Sequence, residues 1–260
     1  MIVTLIGHTV INWDNLQRTA IPNDARDDQL KGTDAEQLTE IAGRICYDSF
    51  GVGRPSSDYH KHIRMVGHGS VLEHATINLL IQNVSRGFTH ELIRHRVGTA
   101  VSQRSTRFVD ESGSVVHAHP ILKDVMNDIS PNEFSEIMQH VAVVKSSNRH
   151  LYSKLVTLIE SHLVDRGLER AYARKQARGA ARGYLENGMD TELVFSMNLR
   201  AALNIIDQRA RKTADAEIRE FAIHLLKICK KVAPAYFKHI RISRASLVGE
   251  HVVKPARIRI

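Results

Sequence analysis

The sequence predicts an α+β fold: one compact domain over residues 1–260, with a mixed sheet and long helices. Three observations carry that expectation. Strand-like and helix-like patterns are interspersed without regular βαβ alternation. Apolar residues late in the chain recur with the helical period. No repeat, low-complexity run or Pro/Gly/Ser-rich linker marks a boundary. Taken in order, residues 1–6 read as a short strand, and Thr33 with Glu36 three residues on is a capping-box start for a helix reaching about Phe50. Residues 75–84 alternate, with Ile77, Leu79 and Ile81 on one face and Thr76, Asn78 and Gln82 largely on the other, the pattern of a half-buried strand. The next segment, SRGFTHELIRHR, is expected as a helix ending near Gly98. Short strands are expected at 106–109 and 115–118, then helix from about 132 to 186. Residues 193–197 fit either a buried strand or the first turn of the next helix, because five residues do not define a period. Two helices follow. In the last, Ile218, Phe221, Ala222, Leu225, Cys229 and Val232 form one core-facing stripe that Pro234 ends, and Cys229 reads there as a small core hydrophobe.

Composition narrows the class of protein. With 43% hydrophobic and 25% charged residues the chain is neither fibrous nor disordered. Two cysteines, Cys46 and Cys229, give no disulfide framework and no CxxC pair, so a reducing, cytoplasmic setting is expected. The first residues have neither a positive n-region nor a small-residue cleavage site, and no membrane span is expected. Net charge is +8, of which +5 falls in residues 238–260, where six Lys and Arg oppose Glu250 alone. That basic tail lacks interleaved aromatics for base stacking, so it is read as a solvated extension or a subunit contact, and nucleic acid is not the expected partner.

The chemistry concentrates around one segment. His90 and His95 mimic a zinc-protease pair, but i and i+5 positions diverge by about 140° on a helix, so no metal site is expected. Walker, GxGxxG and GxSxG motifs do not occur. Arg94-His95-Arg96 is followed, after Val97 to Val101, by Ser102-Gln103-Arg104-Ser105-Thr106-Arg107, a donor set suited to phosphate and to an electron-rich ring. The same residues also fit a solvated basic helix end. Further donors lie at Arg174, Arg178 and Arg182, and at Asn198, Arg200, Asn204 and Arg209, with Arg200 and Asn204 four apart on one helix side.

RHR, a short spacer and Ser-x-x-Ser-x-Arg together resemble the signature of the flavin-dependent thymidylate synthases. Four further blocks follow the family's order: Ala42-Gly43-Arg44-Ile45-Cys46-Tyr47, His68-Gly69-Ser70-Val71-Leu72-Glu73-His74, Met197-Asn198-Leu199-Arg200 with Asn204 and Arg209, and Ala216-Glu217-Ile218-Arg219. The resemblance implies a homotetramer with FAD between chains. It also implies conversion of dUMP to dTMP, with 5,10-methylenetetrahydrofolate as carbon donor and NADPH as reductant. It further implies flavin contacts at Ser70, Arg94, His95, Arg96, Asn198, Arg200 and Asn204, and a nucleotide pocket of Ser105, Thr106, Arg107 and Arg182 with Glu91 and Arg94 nearby. Gln103 falls close to both ligands and His68 on the folate side. Arg209 takes the place of the arginine that activates the uracil ring, a role that fits the lack of His or Arg patterning around either cysteine. Cys46 is expected to pack beside the flavin rather than react.

Several positions depart from the family pattern. The spacer after Arg96 is one residue longer than its commonest form, so 97–101 are expected to make a longer turn. Glu91 stands where Gln is frequent, Thr213-Ala214-Asp215-Ala216 replaces His-Ala-Gln-Trp, and Glu186 stands where Pro is usual. Glu91 and the replacement at Thr213 to Ala216 keep a second reading open, the same flavin and folate chemistry on another pyrimidine nucleotide such as UMP. The basic tail keeps open a third, a non-catalytic nucleic-acid-binding protein.

Overall fold

The computed structural model describes residues 1–19, 30–51, 54–245 and 249–253. Four strands, β1 (Ile2–His8), β2 (Thr76–Ser85), β3 (Thr99–Gln103) and β4 (Asp190–Asn198), form one sheet in the order β1-β2-β4-β3. The hydrogen bonds that bracket β2 and β4, Leu199 N to Ala75 O at 2.9 Å and Arg86 N to Met189 O at 3.0 Å, set these neighbours antiparallel. The α+β class holds, but the sheet expected as mixed is antiparallel. Thr9 N donates to Thr76 O at 3.0 Å where β1 ends and β2 begins, and Asn198 N to Gly98 O at 2.9 Å with Arg104 N to Glu192 O at 3.0 Å run β3 against β4 in opposite directions. The described residues cluster into two compact units, and the division falls within β2, β3 and β4. The first comprises Met1–Ile81, Glu91–Val101 and Val194–Ile260; the second comprises Gln82–His90 and Ser102–Leu193.

In the first unit the inward face of β2, Ile77, Leu79 and Ile81, is fully buried, as the alternation predicts. Phe195 of β4 meets Phe221 edge to face, with ring centroids 6.4 Å apart. Phe221 belongs to the Ala216–Val232 helix, where every residue of the predicted stripe is buried. Cys229 is among them, and burial drives its thiol pKa up. The Asp34–Cys46 helix begins in the predicted capping box, but it stops at Cys46, short of Phe50. A helix at Ser56–Val66 has no counterpart in the sequence reading. Strand 193–197 resolves as the body of β4, because its alternate residues are buried on one face.

The tail differs from the expected extension. Residues Arg241–Ala245 (β5) and Gly249–Val253 (β6) pair as an antiparallel hairpin, with Arg241 opposite Val253, and β6 lies against the Ala216–Val232 helix. Lys254, Arg257 and Arg259 lie outside the described residues.

The second unit is built on two long helices. The expected single run of helix over 132–186 is interrupted at Gly167, whose φ of +90° suits glycine and turns the chain between Pro131–Asp165 and Arg170–Ala181. Ala173, Ala177 and Ala181, four apart and fully buried, let the shorter helix approach the longer one closely. The strand expected at 106–109 is instead a turn, with Phe108 N and Val109 N both donating to Ser105 O, and 115–118 contribute only a bridge between Val116 and Met189. A shorter helix, Pro120–Asp128, precedes the long pair.

Candidate active site

The helix expected to run to Gly98 ends at Leu92. Beyond it Arg94 N donates to Glu91 O at 3.3 Å and His95 N to Leu92 O at 3.1 Å, a tightened last turn. Gly98, at φ +69°, then redirects the chain into β3, so the residues expected as a longer turn are partly strand. A Cβ at Gly98 would lie 2.4 Å from the Asn198 amide nitrogen, so only glycine lets the segment pass this close to the end of β4. The turn points the RHR side chains in different directions: His95 is buried, while Arg94 and Arg96 are exposed.

Arg209, in the last turn of the Leu199–Arg209 helix, reaches this segment. Its Nε donates to His95 Nε2 and its Nη1 to Glu91 Oε2, each at 3.0 Å. A ring nitrogen that accepts from a guanidinium carries no proton, so His95 is protonated at Nδ1 alone. Burial, reinforced by the Arg209 charge, lowers the His95 pKa and keeps the imidazole neutral.

Other flavin-assigned residues of this unit have partners of their own. Arg200 is ion-paired with Glu73 and packs over Gly69, where a Cβ would come within 3.1 Å of Nε. Asn198 caps the Leu199–Arg209 helix, its Oδ1 accepting from Ala201 N at 2.8 Å, and Asn204 Oδ1 accepts from Gln208 Nε2 at 2.9 Å. Ser70 and His68 open onto a cavity of about 600 Å³ that Cys46, Tyr47 and Tyr59 also line. The Tyr47 and His68 rings lie within 10° of parallel, with centroids 6.5 Å apart. Tyr59 Oη is buried there with no hydrogen-bond partner among the described residues, and burial pushes its pKa up to about 12. Aromatic walls, a serine hydroxyl and an unpartnered phenol fit a planar heterocycle such as a flavin ring.

The nucleotide-assigned residues of the second unit form their own cluster. Gln103 Nε2 donates to Thr89 Oγ1 at 3.2 Å and Thr191 Oγ1 at 3.3 Å, which fixes the amide and leaves its carbonyl oxygen available. Arg182 Nη1 donates to the buried Thr106 Oγ1 at 3.3 Å, and Arg107 N to Ser105 Oγ at 3.4 Å. Sequence reasoning missed Arg86, the first residue of the Arg86–Leu92 helix. Burial, then the like charge of Arg182, lowers its pKa, so two guanidiniums share a partly desolvated space. No motif marks Arg86; its one signal is a position five residues before Glu91.

Also missed is a buried polar network behind the cavity. Arg44 holds Glu40 through Nε at 2.8 Å and Nη2 at 2.6 Å, Ser56 donates to the same carboxylate at 2.6 Å, and His60 Nδ1 lies 2.8 Å from Tyr236 Oη. The i, i+4 spacing of Glu40 and Arg44 is the signal that could have shown it. Arg44, in one of the motif blocks, is thus a buried clamp. Two departures from the family pattern prove to be structural. Glu186 accepts from Arg149 Nη1 at 2.7 Å, and Asp215 caps the Ala216–Val232 helix through Glu217 N at 2.9 Å.

The family model described as thymidylate synthase complementing protein matches residues 30–235. A flavin-dependent thymidylate synthase from Mycobacterium avium is 40% identical over 218 residues, covering 81% of this chain and 83% of the relative. One from Mycobacterium marinum is 39% identical over 224 residues, 85% of each. Among solved structures, thymidylate synthase X from Helicobacter pylori, determined with FAD and dUMP, superposes with a TM-score of 0.58 at 20% identity, covering 92% of this chain and 98% of that one.

Proposed function

The chain belongs to the flavin-dependent thymidylate synthase family, and from that premise we propose that it converts dUMP to dTMP with bound FAD, taking the one-carbon unit from 5,10-methylenetetrahydrofolate and the electrons from NADPH. The observation that carries the reading is Arg209, held at the RHR segment by two hydrogen bonds of 3.0 Å. Bound FAD supplies the hydride chemistry. The chain's own task is to bind, orient and polarise. Arg209 takes the uracil N3/O2 edge, where a fixed guanidinium stabilises the negative charge that makes C5 nucleophilic. Ser105, Thr106, Arg107, Arg182 and Arg86 take the phosphate end, and Gln103 orients the base. Ser70, Arg94, His95, Arg96, Asn198, Arg200 and Asn204 hold the flavin, with His68 on the folate side.

In this reading neither cysteine is the nucleophile: Cys229 is buried in the core, and Cys46, exposed on the cavity wall, packs beside the flavin. Two unpaired cysteines also support a cytoplasmic setting. Among the described residues no helix is long and apolar enough to cross a membrane. We read residues 1–260 as one functional domain working in a homotetramer. Ile121, Leu122, Phe134, Met138 and Val141, exposed on consecutive helices of the second unit, supply an apolar surface for a second copy to cover. The test is direct. Purified protein reconstituted with FAD should absorb in the blue, form tetramers by light scattering, and make dTMP from dUMP, folate donor and NADPH. A protein that takes up no FAD overturns the assignment.

A further inference from the structure

We propose that Glu91 is a positioning residue that, together with His95, fixes the plane of the Arg209 guanidinium before the nucleotide arrives. The inference rests on the reading of Arg209 as the group that meets the uracil ring. Two of the three guanidinium nitrogens are engaged within the chain, Nε by the His95 ring and Nη1 by the Glu91 carboxylate, both at 3.0 Å. Nη2 has no partner among the described residues. One acceptor would leave the guanidinium free to rotate about the remaining bond. Two acceptors on different nitrogens define its plane and direct Nη2 outward.

The backbone supports this arrangement from both sides. Glu91 sits in the last turn of the Arg86–Leu92 helix, and His95 in the tight turn that follows. The turn is held by Thr99, whose Oγ1 donates to His95 O at 2.6 Å. Arg209 ends a helix whose start is capped by Asn198. The side chains of Arg209 and Glu91 keep 26% and 38% of their surface accessible, enough for a ligand to reach the guanidinium without breaking the pair. A carboxylate beside a substrate that gains negative charge is unfavourable unless its own charge is committed, and here Arg209 commits it. The amide usual at this position also offers an oxygen to Arg209, so hydrogen-bond acceptance, more than charge, is the property the clamp needs.

The test uses FAD-loaded enzyme with Glu91→Ala, Glu91→Asp and Glu91→Gln. Misorientation of one transition-state donor costs on the order of 10- to 100-fold. Glu91→Ala and the too-short Glu91→Asp should therefore lower kcat by about that factor, with dUMP affinity by calorimetry changed less than about threefold. Glu91→Gln, which keeps an acceptor oxygen, should stay within about threefold of wild type. The Nη1–H resonances of Arg209, which report on the bond to Glu91, give a readout independent of turnover: slow exchange in wild type and Glu91→Gln, fast exchange in Glu91→Ala. Tighter dUMP binding with undiminished kcat in Glu91→Ala would mean the carboxylate merely masks the arginine, and would overturn the proposal. So would an affinity loss that matches the rate loss without recovery in Glu91→Gln. Wild-type protein that makes no dTMP overturns the functional reading instead, while the resonance still reports on the clamp.

Discussion

Arg209 Nε and His95 Nε2 are hydrogen-bonded at 3.0 Å, which joins the residue assigned to the nucleotide directly to one assigned to the flavin. The bond requires a neutral imidazole, which burial and the neighbouring guanidinium both favour. The histidine's ordering therefore depends on the arginine and the reverse, within the first unit alone.

Arg209→Ala should lower dUMP-dependent methylation by on the order of 10² to 10³, the usual cost of losing one transition-state donor, while FAD content and NADPH oxidation without nucleotide persist. Arg209→Lys keeps the charge but loses the planar fork and the simultaneous contacts to His95 and Glu91, so it should not restore the rate. Loss of FAD in either variant would reassign Arg209 to the cofactor or to folding.

What was legible in the sequence follows from how local each signal is. The 33–36 capping box, the β2 alternation and the 218–232 stripe each depend on a few residues and one period, and each is found in the fold. The end of the helix after Leu92 is different. Arg94 and His95 continue a good helical pattern, and the turn is imposed by Gly98 passing the Asn198 amide, a contact exactly one hundred residues away in sequence. The motif blocks named the donors without their partners. Arg44 reads as a motif arginine yet is neutralised by Glu40, and Arg86 lies in no block, although it shares its surroundings with Arg182.

Arg86→Ala should weaken dUMP binding by about 10- to 100-fold in Kd, as expected for removing one charge-assisted contact to a phosphate. FAD content should be unchanged. Arg86→Lys, which keeps the positive charge, should recover part of the loss. Calorimetry across the three proteins reads this out, and unchanged affinity in Arg86→Ala would show that the paired guanidiniums serve packing in the second unit and not the nucleotide.

The buried network should make stability fall in acid. Burial first, then the charges of Arg44 and Arg64, depresses the His60 pKa from 6.5 to about 4. Between those values the unfolded chain binds a proton that the folded chain refuses, so this contribution is complete above pH 6.5 and is lost as pH falls toward 4. Its size is roughly 3 kcal/mol. Burial raises the Glu40 pKa, which acts in the opposite sense, so the histidine is isolated by comparison with His60→Gln. Denaturant unfolding at a series of pH values should show a shallower acid slope in the variant. Equal slopes would mean that His60 titrates normally.

Gly43 lies in the last turn of the Asp34–Cys46 helix, where alanine is preferred on propensity by up to about 1 kcal/mol. Space decides the other way. A Cβ at Gly43 would lie 1.7 Å from Tyr59 Oη and 3.0 Å from Cζ, so the phenol occupies the place of the missing methyl. The Tyr59 ring cannot withdraw freely, because the Arg44 guanidinium lies over it at 5.1 Å and is itself held by Glu40. Overpacking of this kind costs about 1 to 3 kcal/mol, enough to cancel or exceed the propensity gain. Gly43→Ala should therefore lower Tm and reduce FAD uptake, since a displaced phenol moves into the cavity that Cys46, His68 and Ser70 line. Tyr59→Phe removes the oxygen and leaves the 3.0 Å ring contact and a 3.3 Å contact to Val71 Cγ1, which shifts of a few tenths of an ångström relieve. Gly43→Ala with Tyr59→Phe should then be more stable than Gly43→Ala alone, a favourable coupling in the double-mutant cycle. If Gly43→Ala alone raises Tm, the helix is gaining its propensity unopposed, and the phenol does not occupy that space in solution.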